Sequence, residues 1–187
     1  RRVSWITNEI VAVEFPEQVV AVNLKGEELF HLGRAYVGKV ERNNFDSPWV
    51  IVSKGKDYKR YYLVNPLTKE TREYRILLQG KPLQSVFDNM GRLRAVTTLD
   101  SELWNDATKI INWYNDGGEW RKLAEFKVTD RIWLPQTIAD DGRSLVVLTN
   151  IGRNTTAIQS FDVDKLTLGE VMAAHPTQGA VFFIRGS

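Results

Sequence analysis

Short runs of β-branched and apolar residues, broken by turn residues every five to ten positions, recur along this chain. The stretch from Trp133 to His175 shows the pattern clearly. Leu134 to Ile138 reads as a strand, Asp140-Asp141-Gly142 as a turn, and Ser144 to Thr149 as a second strand rich in Leu and Val. In that turn Asp bonds its own backbone and Gly142 takes a positive φ. Thr155 to Val163 alternates as a third strand, and Gly169 to Ala174 closes the group as a fourth. A helix over Lys165 to Ala174 competes, but Gly169 in its middle would cost it about 1 kcal/mol against Ala, which favours the strand.

Three earlier segments follow the same order. Val3 to Ile6, Glu9 to Glu14, Gln18 to Asn23 and Glu27 to Leu32 make the first unit. In the second, Gly38 to Val40 is expected to be a short inner strand, followed by Pro48 to Ser53, Arg60 to Asn65 and Thr71 to Leu77. Leu93 to Thr98, Thr108 to Tyr114 and Glu119 to Ala124 belong to the third. The second-strand anchors Ile10, Trp49, Leu93 and Leu145 recur at roughly 40 to 50 residues, a propeller-like spacing. The expected fold is therefore all-β, a partial or small β-propeller of about four blade-like antiparallel four-stranded sheets. The units run over about 3–33, 38–78, 82–126 and 132–175 of a single domain, with the start of a further unit at 179–184. An ordinary β-sandwich with regular hairpins is the alternative.

Stacked units would bury Val50, Val52, Leu63, Ala95, Ile110, Val146, Leu148 and Ile158 between sheets. Tyr61, Tyr62, Trp113, Tyr114 and Phe161 fall on third strands and read as core aromatics. Residues 100–106 form a longer polar loop carrying Leu103 and Trp104, and loops of this kind often carry function.

Composition narrows the function classes. At 187 residues and 43% hydrophobic content the chain can build a globular core. Its formal charge of +2, with cations and anions interspersed, gives no case for nucleic acid. Lys54 to Arg60 is a local basic patch that reads as the solvated flank of a hairpin loop. The absence of Cys excludes a disulfide framework and a thiolate zinc site, and leaves cytoplasmic and periplasmic or secreted locations open. No apolar run reaches the ~18–20 residues of a membrane span. No signal-peptide pattern opens the chain. It begins at Arg1-Arg2 without Met and ends at Gly186-Ser187, and the expectation is a fragment of a longer protein. An end sheet without its neighbour would then favour self-association.

The residues offer little chemistry. No Gly-x-Ser-x-Gly elbow is present, and His31 and His175 stand at the ends of fourth strands without partners at catalytic spacing. Two His without a His-x-x-x-His pair or Cys partners make a weak metal case. Asp140-Asp141 and Asp162-Val163-Asp164 read as turn residues, since neither follows the calcium-loop pattern. Gly117-Gly118 sits in a hairpin, where it cannot cradle a phosphate at a helix start. Asn154-Thr155-Thr156 fits a glycosylation sequon, relevant only in a eukaryotic secretory setting. No cofactor or metal is expected, and no catalytic residue.

The string from Ala139 to Ala157, followed by Phe161-Asp162 and Leu168-Gly-Glu-Val171, resembles the propeller of the prolyl oligopeptidase family of serine peptidases. Asp141-Gly142, Leu145 and Asp162 match its Asp-Gly-x-x-Leu and Leu-Tyr-x-x-Asp strings, whereas Ile158-Gln159 departs from the Leu-Tyr pair. Other TolB-like propellers share these strings. The resemblance implies a noncatalytic propeller that gates peptide access to a separate α/β-hydrolase domain, which would supply the catalytic Ser, Asp and His. By that reading the chain itself hydrolyses nothing, the parent is a serine peptidase, and the partner is a peptide substrate met through the other domain. The second reading is a free-standing propeller module that binds a protein or glycan through its loops, with Trp104 and Trp120 as anchors.

Overall fold

Val, Ile, Thr and aromatic residues crowd the runs between turn residues, and these are the side chains that fit a pleated, half-buried surface. In a computed structural model that describes residues 2–40, 47–54, 59–101 and 105–174, those runs are strands, and every regular element is a strand. The first sheet holds β1 (Arg2–Trp5), β2 (Ile10–Glu14), β3 (Val19–Asn23) and β4 (Glu28–Gly33). The second holds β5 (Ala35–Lys39), β6 (Val50–Ser53), β7 (Arg60–Val64) and β8 (Thr71–Arg75). The third holds β9 (Lys81–Phe87), β10 (Leu93–Leu99), β11 (Lys109–Tyr114) and β12 (Arg121–Lys127). The fourth holds β13 (Trp133–Ile138), β14 (Leu145–Thr149), β15 (Ala157–Asp162) and β16 (Thr167–Ala174).

Each sheet is antiparallel, and its spatial order is the chain order. The expected all-β architecture of four four-stranded sheets is what the described residues form. The region where a helix competed is the strand β16. The first strand of the second sheet starts earlier than expected, at Ala35. The link from β4 is the single residue Arg34, whose N–H donates to the Ser53 carbonyl at 2.7 Å and so continues the ladder at once. Gly33 permits this approach, because a Cβ there would stand 2.8 Å from the same carbonyl oxygen. The expected strand at 179–184 lies outside the described residues.

A common device closes the connection between third and fourth strands in all four sheets. Asn23 Oδ1 accepts from the Lys25 and Glu27 amides. Asn65 Oδ1 accepts from Leu67 and Thr68, Asn115 Oδ1 from Gly117, and Asp162 Oδ1 from Asp164 and Lys165. Each turn then uses a positive φ: Gly26 at 85°, Lys69 at 63°, Gly117 at 113° and Leu166 at 56°. A short side chain that bonds its own downstream backbone is what such turns require. The turn from β13 to β14 uses the same means. Asp141 accepts from the Arg143 and Ser144 amides and the Ser144 hydroxyl, and these bonds hold its carboxyl below the usual range. Gly142 has the expected positive φ, 67°.

The chain divides into two compact units, Arg1–Leu77 with Asn89–Arg92, and Leu78–Asp88 with Leu93–Ser187. In the first, Ile10, Ala12, Val19, Ala21 and Leu32 of the first sheet pack on Val50, Val52 and Val64 of the second. In the second unit, Val86, Ala95, Tyr114 and Leu123 pack on Trp133, Leu145, Val147 and Phe161. Trp133 and Phe161 stack with centroids 4.3 Å apart. A buried polar chain joins the same two sheets: within the third sheet the Thr97 hydroxyl donates to Asn112 Oδ1 at 2.6 Å, and Asn112 Nδ2 donates across to the Trp133 carbonyl of the fourth at 2.7 Å.

The core list needs one correction. Val50, Val52, Leu63, Ala95 and Ile110 are buried as expected, but Val146 and Leu148 are only half-buried and Ile158 is 38% exposed. In β14 the inward face carries Leu145 and Val147 instead. Leu145-Val-Val-Leu148 is apolar throughout, so its own sequence gives no alternation to fix the face. The neighbours decide it: Phe161 pairs across from Leu145 and Trp133 across from Thr149, which sets the aromatic pair on the inward side. Of the expected core aromatics, Tyr61, Tyr114 and Phe161 are buried. Trp113 is half-buried, and its ring N–H donates to the Thr98 hydroxyl at 3.0 Å.

Candidate functional site

Of the residues singled out from the sequence, Trp104, Leu103 and His175 lie outside the described residues. Trp120 is half-buried between the Asn115 turn and β12. His31 is exposed on β4. Among the described residues, no three His, Asp or Glu side chains come together as a metal-ligand group. No helix among them is long and apolar enough to cross a membrane.

A cleft of about 330 Å³ in the first unit gathers Glu17, His31, Gly33, Arg34 and Lys54. Alternation along β4 turns Leu32 into the core and leaves His31 and Gly33 on the cleft side. The one-residue link places Arg34 directly beside them, anchored by its backbone bond to Ser53. Lys54 follows the last residue of β6, and its ammonium lies 4.4 Å from the Tyr62 ring centroid. Glu17 stands on the β2–β3 connection, where the Phe15 amide donates to the Gln18 carbonyl. Its carboxylate meets Arg34 Nη2 at 2.6 Å.

Among the described residues, the lining carries two permanent cations, Arg34 and Lys54, and one carboxylate, that of Glu17. Among the described residues, the lining carries no hydroxyl or thiol. Recognition of an anion is the chemistry that these cations support.

A second cleft of similar size in the same unit is lined by Trp5, Ile6, Thr7, Asn8 and Lys39. Trp5 is 63% exposed there and shares the outer side of the first sheet with exposed Val3. Tyr36 on β5 has its phenol pushed up by burial, an effect opposed by the charge of Arg2.

No protein-family model and no curated protein matches this sequence. The site reading therefore rests on geometry. Sequence reasoning missed both cationic members of the first cleft. Arg34 lay in a link with no assigned structure, and Lys54 belonged to a patch read as solvated. The available signal was the pair Gly33-Arg34, a small residue before a cation at the junction of two strand groups.

Proposed function

We propose that this chain is a run of four β-propeller blades with a noncatalytic role, gating peptide access to an α/β-hydrolase domain of the same parent protein. The observation that carries the blade reading is the fourfold recurrence of one unit. Each is a four-stranded meander in chain order, with an Asn or Asp closing its third-to-fourth-strand turn. Such units bury their faces by stacking on neighbours, and the links between them are short: Arg34, then residues 76–80, then residues 128–132. The peptidase assignment rests on the resemblance of the Asp141-Gly142 and Phe161-Asp162 strings.

The test is the reading frame that carries this chain, together with fluorophosphonate labelling of its full product. The reading expects one labelled serine in an α/β-hydrolase region outside residues 1–187, and faster hydrolysis of short peptides than of long ones. Labelling within residues 1–187, or a full product that takes no label, overturns it.

The alternative, a free-standing binding module, is favoured by one feature, the cationic cleft around Arg34. A reading frame without a hydrolase region would leave that alternative standing.

A further inference from the structure

We propose that the cleft formed by Glu17, His31, Gly33, Arg34 and Lys54 binds a compact oxyanion, a carboxylate or a phosphate, and that Glu17 is an internal stand-in which the ligand displaces. This goes beyond the blade reading and depends on the first unit alone.

Three features point the same way. The cleft, about 330 Å³, lies at the small end of ligand pockets and has room for a phosphate or a peptide carboxylate. Its two permanent cations are of different kinds. Arg34 offers a planar fork suited to two oxygens, whereas Lys54 is a point charge positioned over Tyr62. Above all, a carboxylate already occupies the guanidinium, and the two partners are unequally held. The Glu17 side chain is 72% exposed on a surface connection, while Arg34 is 29% exposed and anchored through its backbone to β6. An ion pair this solvated adds little net stability, so an external oxyanion can replace Glu17 at small cost. The incoming group then gains both cations, while Glu17 returns to water. His31 on the same side adds a ring N–H within the lining.

The experiment is an amide NMR titration of the full chain at low ionic strength, with three probes. These are inorganic phosphate, a short peptide with a free C-terminal carboxylate, and the same peptide amidated. Saturable shifts centred on residues 31–34 and 54 are expected for phosphate, for the free-acid peptide, or for both, and the tighter of the two identifies the source. Arg34→Gln is expected to weaken binding about tenfold, the loss of one charge-assisted contact. Glu17→Gln is expected to tighten it about threefold or more by removing the competitor. Lys25→Gln, on the β3–β4 turn, is the control and leaves the affinity unchanged. All three positions are at the surface, and an unchanged circular dichroism spectrum establishes that each variant is folded. Shifts that never saturate, or that Arg34→Gln does not weaken, overturn the site. An affinity unmoved by Glu17→Gln overturns the stand-in role. Equal binding of the amidated and free-acid peptides, with none of phosphate, also overturns the site.

Discussion

Arg94 on β10 is the residue whose replacement tests the packing of the second unit most severely. It is a buried cation with partners on every side. Its Nε donates to the Asn115 carbonyl at 2.8 Å, and Nη2 to the Tyr114 hydroxyl at 2.7 Å and the Gly142 carbonyl at 3.4 Å. Nη1 meets Asp88 at 3.3 Å, with the side chains of Arg94 and Asp88 only 9% and 7% exposed. The guanidinium also lies 5.4 Å from the Tyr114 ring centroid. It thus ties the third strand of the third sheet to the β13–β14 turn of the fourth. Arg94→Met keeps most of the methylene packing and removes the charge and the donors. Breaking a buried ion pair by deleting one partner costs about 3–5 kcal/mol. For a chain of this size that corresponds to a fall in Tm of about 6–20 °C. The double variant Arg94→Met with Asp88→Asn removes the remaining buried charge and is expected to recover part of that loss. Thermal and urea unfolding, followed by circular dichroism and tryptophan fluorescence, measure both. A single variant within about 0.5 kcal/mol of the wild type would refute the claim that Arg94 is a buried structural clamp.

Further expectations follow from other parts of the fold. Leu145→Ala should lose about 2–5 kcal/mol and Leu148→Ala about half of that or less, since only Leu145 faces the core; equal losses in urea unfolding would reverse the facing of β14. Gly142→Ala meets open space at a φ of 67° and should cost about 1–2 kcal/mol from the backbone alone. Gly80→Ala should cost more by at least about 2 kcal/mol, because its Cβ would overlap the Leu99 carbonyl at a φ of 89°, and equal midpoints would contradict this. Glu125 is hydrogen-bonded first to Lys109 and also to Lys122, which pulls its carboxyl from 4.5 down to about 2. A depressed folded value means that its contribution to stability is present above about pH 4.5 and is lost as the pH falls toward 2. Glu125→Gln should flatten the acid limb of the stability curve in that window, and a carboxyl NMR titration with a midpoint near 4.5 would count against the pairing.

Where a local rule decided the structure, the sequence was readable. The β-branched runs Gln18 to Asn23 and Arg60 to Asn65 became β3 and β7 because short range alone favours strands there. Gly169 correctly turned Lys165 to Ala174 away from a helix. The Asx closure of every third-to-fourth-strand turn was visible as Asn23, Asn65, Asn115 and Asp162, yet its recurrence emerges only when the four hairpins are compared. Where a neighbour decided, the sequence was silent. Leu145 to Leu148 is apolar at every position, and only the cross-strand placement of Phe161 and Trp133 fixes which half faces inward. Nothing in the sequence around Arg94 marks its burial, which comes from Tyr114 and Asp88 packed around it. The cleft was hidden for a similar reason, because Arg34 acquires its partner from Glu17, two strands earlier.

The proposed blade reading rests on a propeller order of the sheets. It requires the first strands, β1, β5, β9 and β13, to line a common axis and the fourth strands, β4, β8, β12 and β16, to stand at the rim. The absence of Cys makes the measurement clean, since pairs of introduced cysteines carry the only spin labels. Labels at Ser4, Val37, Lys81 and Gln136 report the inner strands, and labels at Glu28, Thr71, Arg121 and Glu170 the outer ones. Pulsed electron–electron double resonance should give a shorter distance between the inner labels than between the outer labels for the two sheets of each unit. An outer distance equal to or shorter than the inner one, in either unit, would contradict the blade reading and return the chain to a sandwich-like packing of hairpins.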